Sequence, residues 1–146
     1  MNIEEFLQLK NLKRTKIEKT IKRILLLKDL KNIESVLKDI ASLEQEQDKK
    51  TIFYLRIYTY MLIASENFRH KNISECKYNL KIASKFASDC EFRKERPYAK
   101  RIKKISDALI EHMVNIKNDA ANKSEYHKLK IMFRTAQGIC VLRILK

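Results

Sequence analysis

Gly138 and Pro97 are the only glycine and the only proline in a chain of 146 residues. Tight β-hairpins depend on such residues, because they supply the unusual backbone angles of a turn. A chain nearly without them is poorly equipped to build an antiparallel sheet. Lys, Leu, Glu, Ile and Ala fill it instead, and most of these are good helix formers. Apolar residues make up 45% and charged residues 34%, enough of the first for a core and of the second for a solvated outside. The length suits one domain with a sizeable core. The reading is all-α: a single helical domain over residues 1–146. It would hold six or seven helices, as a bundle or as an array of helical hairpins.

Residues 51–68, TIFYLRIYTYMLIASENF, set the centre of that domain. On a helical wheel their large side chains point almost all round, and only Arg56, Thr59 and Glu66 form a polar strip. A helix apolar on most sides is normally surrounded by other helices. The stretch is too short and too polar to span a bilayer.

Before it, Asn2 caps a short helix through Leu12, and the capping box Thr15-Lys-Ile-Glu18 opens another to about Lys28. Leu30, Ile33, Leu37, Ile40 and Leu43 place a third over 29–46, followed by the polar loop at 44–50. After the central helix, Asn72-Ile-Ser-Glu75 has the form of a capping box, and Ile73, Cys76, Leu80, Ala83 and Ala87 line the buried face of a helix ending near Ser88. A charged connector follows. Pro97 then sits where a helix begins, its missing N–H costing nothing there. Tyr98, Ile102, Ile105, Leu109, Met113 and Ile116 make an apolar stripe. A last helix contains Tyr126, Leu129, Met132, Phe133 and Ala136, and Gly138 is expected to end it. Residues 138–146 are then a terminal helical turn or a strand. As an apolar tail, Ile139, Val141, Leu142 and Leu145 would offer a contact to a protein partner.

Charge speaks to partners. Lys plus Arg total 32 against 18 Asp plus Glu, a net +14 with pI near 9.7. Such an excess suits the phosphate backbone of a nucleic acid or an acidic protein surface. It is concentrated: residues 93–104, RKERPYAKRIKK, hold seven cations and one acid, and so do residues 10–23. Arg93, Lys94, Arg96, Lys100, Arg101 and Lys104 are the first set of expected phosphate contacts, with Tyr98 nearby for stacking. Lys16, Lys19, Lys22 and Arg23, on the polar face of the helix at 15–28, are the second. No recognition-helix or RNA-binding aromatic signature accompanies them, so contact with the backbone rather than base readout is expected. The ordinary alternative is two solvated helix faces. Leu26 among the cations of 15–28 raises a membrane contact, which a lone exposed leucine does not require.

Residues 57–87 resemble one degenerate tetratricopeptide unit, in which small and large residues let two antiparallel helices nest. Tyr60, Ile63 and Ala64 stand at the first-helix signature positions, and Cys76, Leu80 and Ala83 at the second-helix ones. Asn67 and Ser88 depart from the family's aromatic and proline, and no second copy follows one period on. The resemblance implies a protein-binding scaffold or adaptor, or a subunit of a larger complex, and fixes no ligand residue.

Nothing in the sequence points to catalysis, a metal or a cofactor. His70, His112 and His127 stand one per segment. Glu111-His112 lacks the second histidine of a zinc-protease helix, and a single glycine excludes a phosphate loop and a nucleophile elbow. Cys76, Cys90 and Cys140 are odd in number and widely spaced, with no CxxC pair. Reduced thiols in the cytoplasm or nucleus are expected. The N-terminal residues MNIEEFLQLKNLK lack a signal-peptide core.

Overall fold

A computed structural model of the chain describes residues 49–115 and 123–145. They form four α-helices and one 3₁₀ turn, with no strand among the described residues. The order is α1 (Lys49–Arg69), α2 (Ile73–Ser88), the 3₁₀ turn Arg93–Glu95, α3 (Arg96–Asn115) and α4 (Lys123–Leu145). The helices expected over 2–12, 15–28 and 29–46 lie outside the described residues.

The four helices stand as an up-down-up-down bundle in which α1 packs on α2, α2 on α3, α3 on α4, and α4 back on α1. Contacts between distant residues fix the directions. Tyr54, early in α1, meets Glu95 just before α3 and thereby Arg143 late in α4. Phe68, at the far end of α1, meets Tyr126 and Phe133 in the first half of α4.

The helices arise where the apolar spacing placed them. In α3, Ala99, Ile102, Ser106, Leu109 and Met113 are buried at steps of three and four, the signature of one inward face. Expected stripe members Tyr98 and Ile105 flank them, packed at the core's edge. In α2 the inward residues Cys76, Ala83 and Ala87 are small, so its backbone approaches α1 closely; Leu80 fills the space between. α1 contributes Tyr54, Leu55, Ile57, Met61 and Ala64 to the core, all fully buried. It touches all three other helices, because Met61 Sδ reaches Ser106 of α3 across the bundle at 3.6 Å. Fully burying one such aliphatic or aromatic side chain contributes about 1.5–3 kcal/mol.

Several interior polar groups are satisfied locally, while Gln137 Nε2 is buried without a hydrogen-bond partner among the described residues. The Thr59 and Ser106 hydroxyls donate to the carbonyls of Leu55 and Ile102 one turn back, at 2.8 and 2.9 Å. The Cys76 thiol donates to Met113 Sδ at 3.3 Å, linking α2 to α3, and burial pushes its pKa up to about 12.

Two local expectations are corrected. Asn72 does stand at the N-cap of α2, but its side chain makes no capping bond; its amide donates to Asn67 Oδ1 at 3.5 Å instead. Gly138 does not end α4, which runs through it to Leu145. Glycine in a helix interior costs only about 1 kcal/mol relative to alanine. Burial of Ile139, Cys140 and Ile144 beyond it outweighs that. The tail is therefore the last turns of a core helix. Ile139 is buried, Val141 is partly buried against the core, and Leu142 is exposed. The side chain of Leu145 lies outside the described residues.

Candidate nucleic-acid interface

The 3₁₀ turn and the first turns of α3 carry the run RKERPYAKRIKK, and its single acid is the key to its geometry. The three-residue turn after Phe92 rotates Glu95 inward, leaving it 5% exposed, while Arg93, Lys94 and Arg96 on either side face solvent. Glu95 is held by two elements remote in sequence. The Tyr54 hydroxyl donates to Glu95 Oε1 at 2.8 Å, and Arg143 donates through Nε to Oε1 and through Nη2 to Oε2, both at 2.8 Å. This is the two-pronged arrangement in which a guanidinium matches a carboxylate best. The Arg143 guanidinium also lies 4.0 Å from the centre of the Tyr98 ring, a cation–π contact.

The electrostatics follow from that geometry. Hydrogen bonds from Arg143 hold the Glu95 carboxyl below its ordinary pKa despite burial that pushes it up, and the Tyr54 hydroxyl adds to the lowering. Burial first, then the Glu95 carboxylate, push the Tyr54 phenol well above its ordinary value. The hydrogen bonds to Glu95 likewise keep Arg143 firmly protonated. At neutral pH the clasp is an ionised Glu–Arg pair with a neutral tyrosine, and its charge is cancelled inside the bundle.

What remains outside is cationic. Arg93, Lys94, Arg96, Lys100, Arg101 and Lys104 are all exposed, and none forms an ion pair with a described residue. The structure therefore brings the first expected set together at one end of the bundle. The first turn of α3 contains no acidic residue, although the helix dipole favours acids there and disfavours cations by about 0.3–1 kcal/mol each. The patch ends where acids begin. Asp107 takes 2.7 and 2.6 Å bonds from Lys103 and Ser84, and these outweigh the upward push of burial and hold its carboxyl below the ordinary range. The second set, Lys16, Lys19, Lys22 and Arg23, lies outside the described residues.

At Tyr98, expected nearby for stacking, Arg143 occupies one face of the ring. The Glu95–Arg143 pair itself was not legible in the sequence, because its partners are 48 residues apart. A lone acid within a cationic run is the one trace of it in the sequence.

The hairpin of α1 and α2 has a different surface. A hollow of about 370 Å³ is floored by Ile52, Phe53, Phe86 and Phe92, with Lys49, Arg56, Asp89 and Glu91 at its rim. Of the positions in the tetratricopeptide-like pattern, Ile63, Ala64, Cys76, Leu80 and Ala83 are buried, and Tyr60 packs its ring on Phe86 at 5.7 Å. Among the described residues no three His, Cys, Asp or Glu side chains gather as a metal site, and no helix is long and apolar enough to cross a membrane. Comparison with protein-family models, curated proteins and solved structures finds no match to this chain.

Proposed function

We propose that this protein is a non-enzymatic basic helical module that binds nucleic acid through its phosphates without reading sequence, or sits in a nucleic-acid-bound assembly. One observation carries the reading: the only acid of residues 93–104 is turned inward and neutralised, leaving six exposed cations along the 3₁₀ turn and the first three turns of α3. Arg93, Lys94 and Arg96 oppose the helix dipole there, and an arriving phosphate relieves it. Binding would proceed by release of counterions from the phosphates. A reducing compartment, cytoplasm or nucleus, fits the free thiols of Cys76, Cys90 and Cys140. The test is a pull-down of the tagged protein from its own cell extract, with and without nuclease, at two salt concentrations. Nucleic acid recovered at low salt, and partners released by nuclease, support the reading. One protein retained under all four conditions overturns it.

A second reading is a protein-interaction adaptor built on the α1–α2 hairpin. The hollow at Phe53, Phe86 and Phe92 supports it, because its rim carries both signs of charge and an apolar floor, features suited to a protein side chain rather than a polyanion. Phe86→Glu should abolish such a partner and leave nucleic-acid binding intact.

A further inference from the structure

The opposite end of the bundle carries a second hollow, of about 250 Å³, between the end of α1 and the start of α4. Its floor is aromatic: Phe68 lies with its ring centre 5.1 Å from Tyr126 and 5.6 Å from Phe133. Phe68 and Phe133 are core residues, whereas Tyr126 is partly buried at the core's edge and lines the hollow. The rim carries Arg69, Lys71 and Lys130, and among the described residues no acidic side chain lines it. Glu66 lies just outside and engages Arg69 at 2.8 Å and His70 at 3.9 Å. Lys71 and Lys130 make no ion pair with a described residue. The volume falls short of the roughly 300–1,000 Å³ of sites that enclose a drug-sized ligand. It suits one flat ring, with negative charge on either side.

Lys71 adds an independent observation. It is the one non-glycine residue with positive φ among the described residues, at 63°. The Lys71 N–H donates to the Phe68 carbonyl at 3.0 Å and the Asn72 N–H to the Asn67 carbonyl at 2.8 Å, the paired bonds of a Schellman cap. Glycine is the usual residue at this position, because the left-handed conformation is costly for any side chain. A lysine stands there at the expense of stability, and it lines the hollow. The Asn67 amide, donating to the Ile63 carbonyl at 3.0 Å, steadies the turn beneath it.

We infer that this hollow is a stacking site for one base of a single-stranded nucleic acid, with Tyr126 as the platform and Lys71 and Lys130 taking the flanking phosphates. The inference rests on the nucleic-acid reading above and adds a strand preference to it. A duplex keeps its bases stacked internally and cannot deliver a ring to Tyr126, whereas every unpaired base can. The 21 residues of α1 put the hollow about 30 Å from the patch on α3, so the two surfaces are separable by mutation.

The test uses the full chain, a short labelled single strand and the duplex of the same sequence. Tyr126→Leu, which keeps apolar packing on Phe68, should weaken the single strand on the order of tenfold and leave the duplex unchanged. Lys71→Gly should raise the unfolding midpoint by relieving the turn, yet weaken the single strand; a merely structural lysine would show only the first effect. A single strand carrying 5-iodouracil should photocrosslink to Tyr126, and less so in Lys71→Gly. Equal affinity for both strands with no crosslink at Tyr126 would overturn the stacking site, while loss of binding on reversing the α3 cations would still uphold the patch. Binding a free nucleoside monophosphate as tightly as the strand would overturn it too. No binding of either strand overturns both readings.

Discussion

The two ends of this bundle are closed by different physics. At one, Tyr54, Glu95, Arg143 and Tyr98 join α1, the 3₁₀ turn, α3 and α4 through charge and hydrogen bonds. At the other, Phe68, Tyr126 and Phe133 join α1 to α4 through ring packing. A charged clasp has a directional, pH-dependent strength, and it removes an acid from a surface that would otherwise carry it. Ring packing is insensitive to pH and leaves an apolar hollow behind. The run that hides its carboxylate at Glu95 presents exposed cations on α3, and the other end places a ring, Tyr126, in the lining of its hollow.

The comparison can be broken first at the aromatic end. Phe133 is 2% exposed, and Phe133→Ala should cost about 4 kcal/mol in denaturant unfolding, equally at pH 7 and pH 5. At the clasp, Glu95→Gln leaves the Arg143 charge without its partner. The loss should be about 3 kcal/mol, the low end for a buried pair because the Arg143 side chain keeps 17% exposure. Replacing both Glu95 and Arg143 with Met should recover part of it, because the buried Tyr54 hydroxyl still loses its acceptor. If Glu95→Gln proves nearly neutral, the clasp is an ordinary surface pair.

A pH titration sharpens the contrast. The Glu95 pKa is lowered in the fold, so its stabilisation is present above the unfolded carboxylate pKa and is lost as pH falls through the folded one. The pKa values of Tyr54, Cys76 and Cys140 are raised. Their contributions are complete below the unfolded thiol and phenol values and are lost as pH rises beyond them. Melting temperature should therefore be flat from about pH 6 to 8 and fall at both extremes. Glu95→Gln should flatten the acid limb and leave the thiol part of the alkaline limb. An unchanged acid limb would mean that other carboxylates dominate it.

The smallest effect lies between the two ends. A Cβ added at Gly138 meets nothing within 4 Å, so Gly138→Ala should stabilise α4 by about 0.5–1 kcal/mol in thermal unfolding. A loss instead would mean that α4 needs flexibility there.

The helices were legible in the sequence and the ends were not, for a physical reason. Helix faces repeat every three or four residues, so α2 and α3 could be placed from Cys76, Leu80 and Ala83, and from Pro97, Ile102 and Leu109. The patch at 93–104 was legible because it is contiguous. The clasp and the aromatic hollow are built by pairs such as Glu95–Arg143 and Phe68–Tyr126, which meet only after the helices dock. Gly138 is a break signal in the sequence, but its modest helix penalty is outweighed by burial of the residues that follow it in α4. Asn72 was placed correctly as a boundary, but the nearby Asn67 amide claims its side chain.

The most direct measurement is the affinity of the full chain for a nucleic acid across a salt series, beside a variant with Arg96, Lys100, Arg101 and Lys104 reversed to glutamate. Binding should weaken steeply with salt, and the variant's log–log slope should be shallower by about 3 or more, since each lost phosphate contact removes about 0.7–0.9. Binding that ignores salt, or a slope unchanged by the four reversals, would contradict the assignment of the α3 end as the nucleic-acid surface.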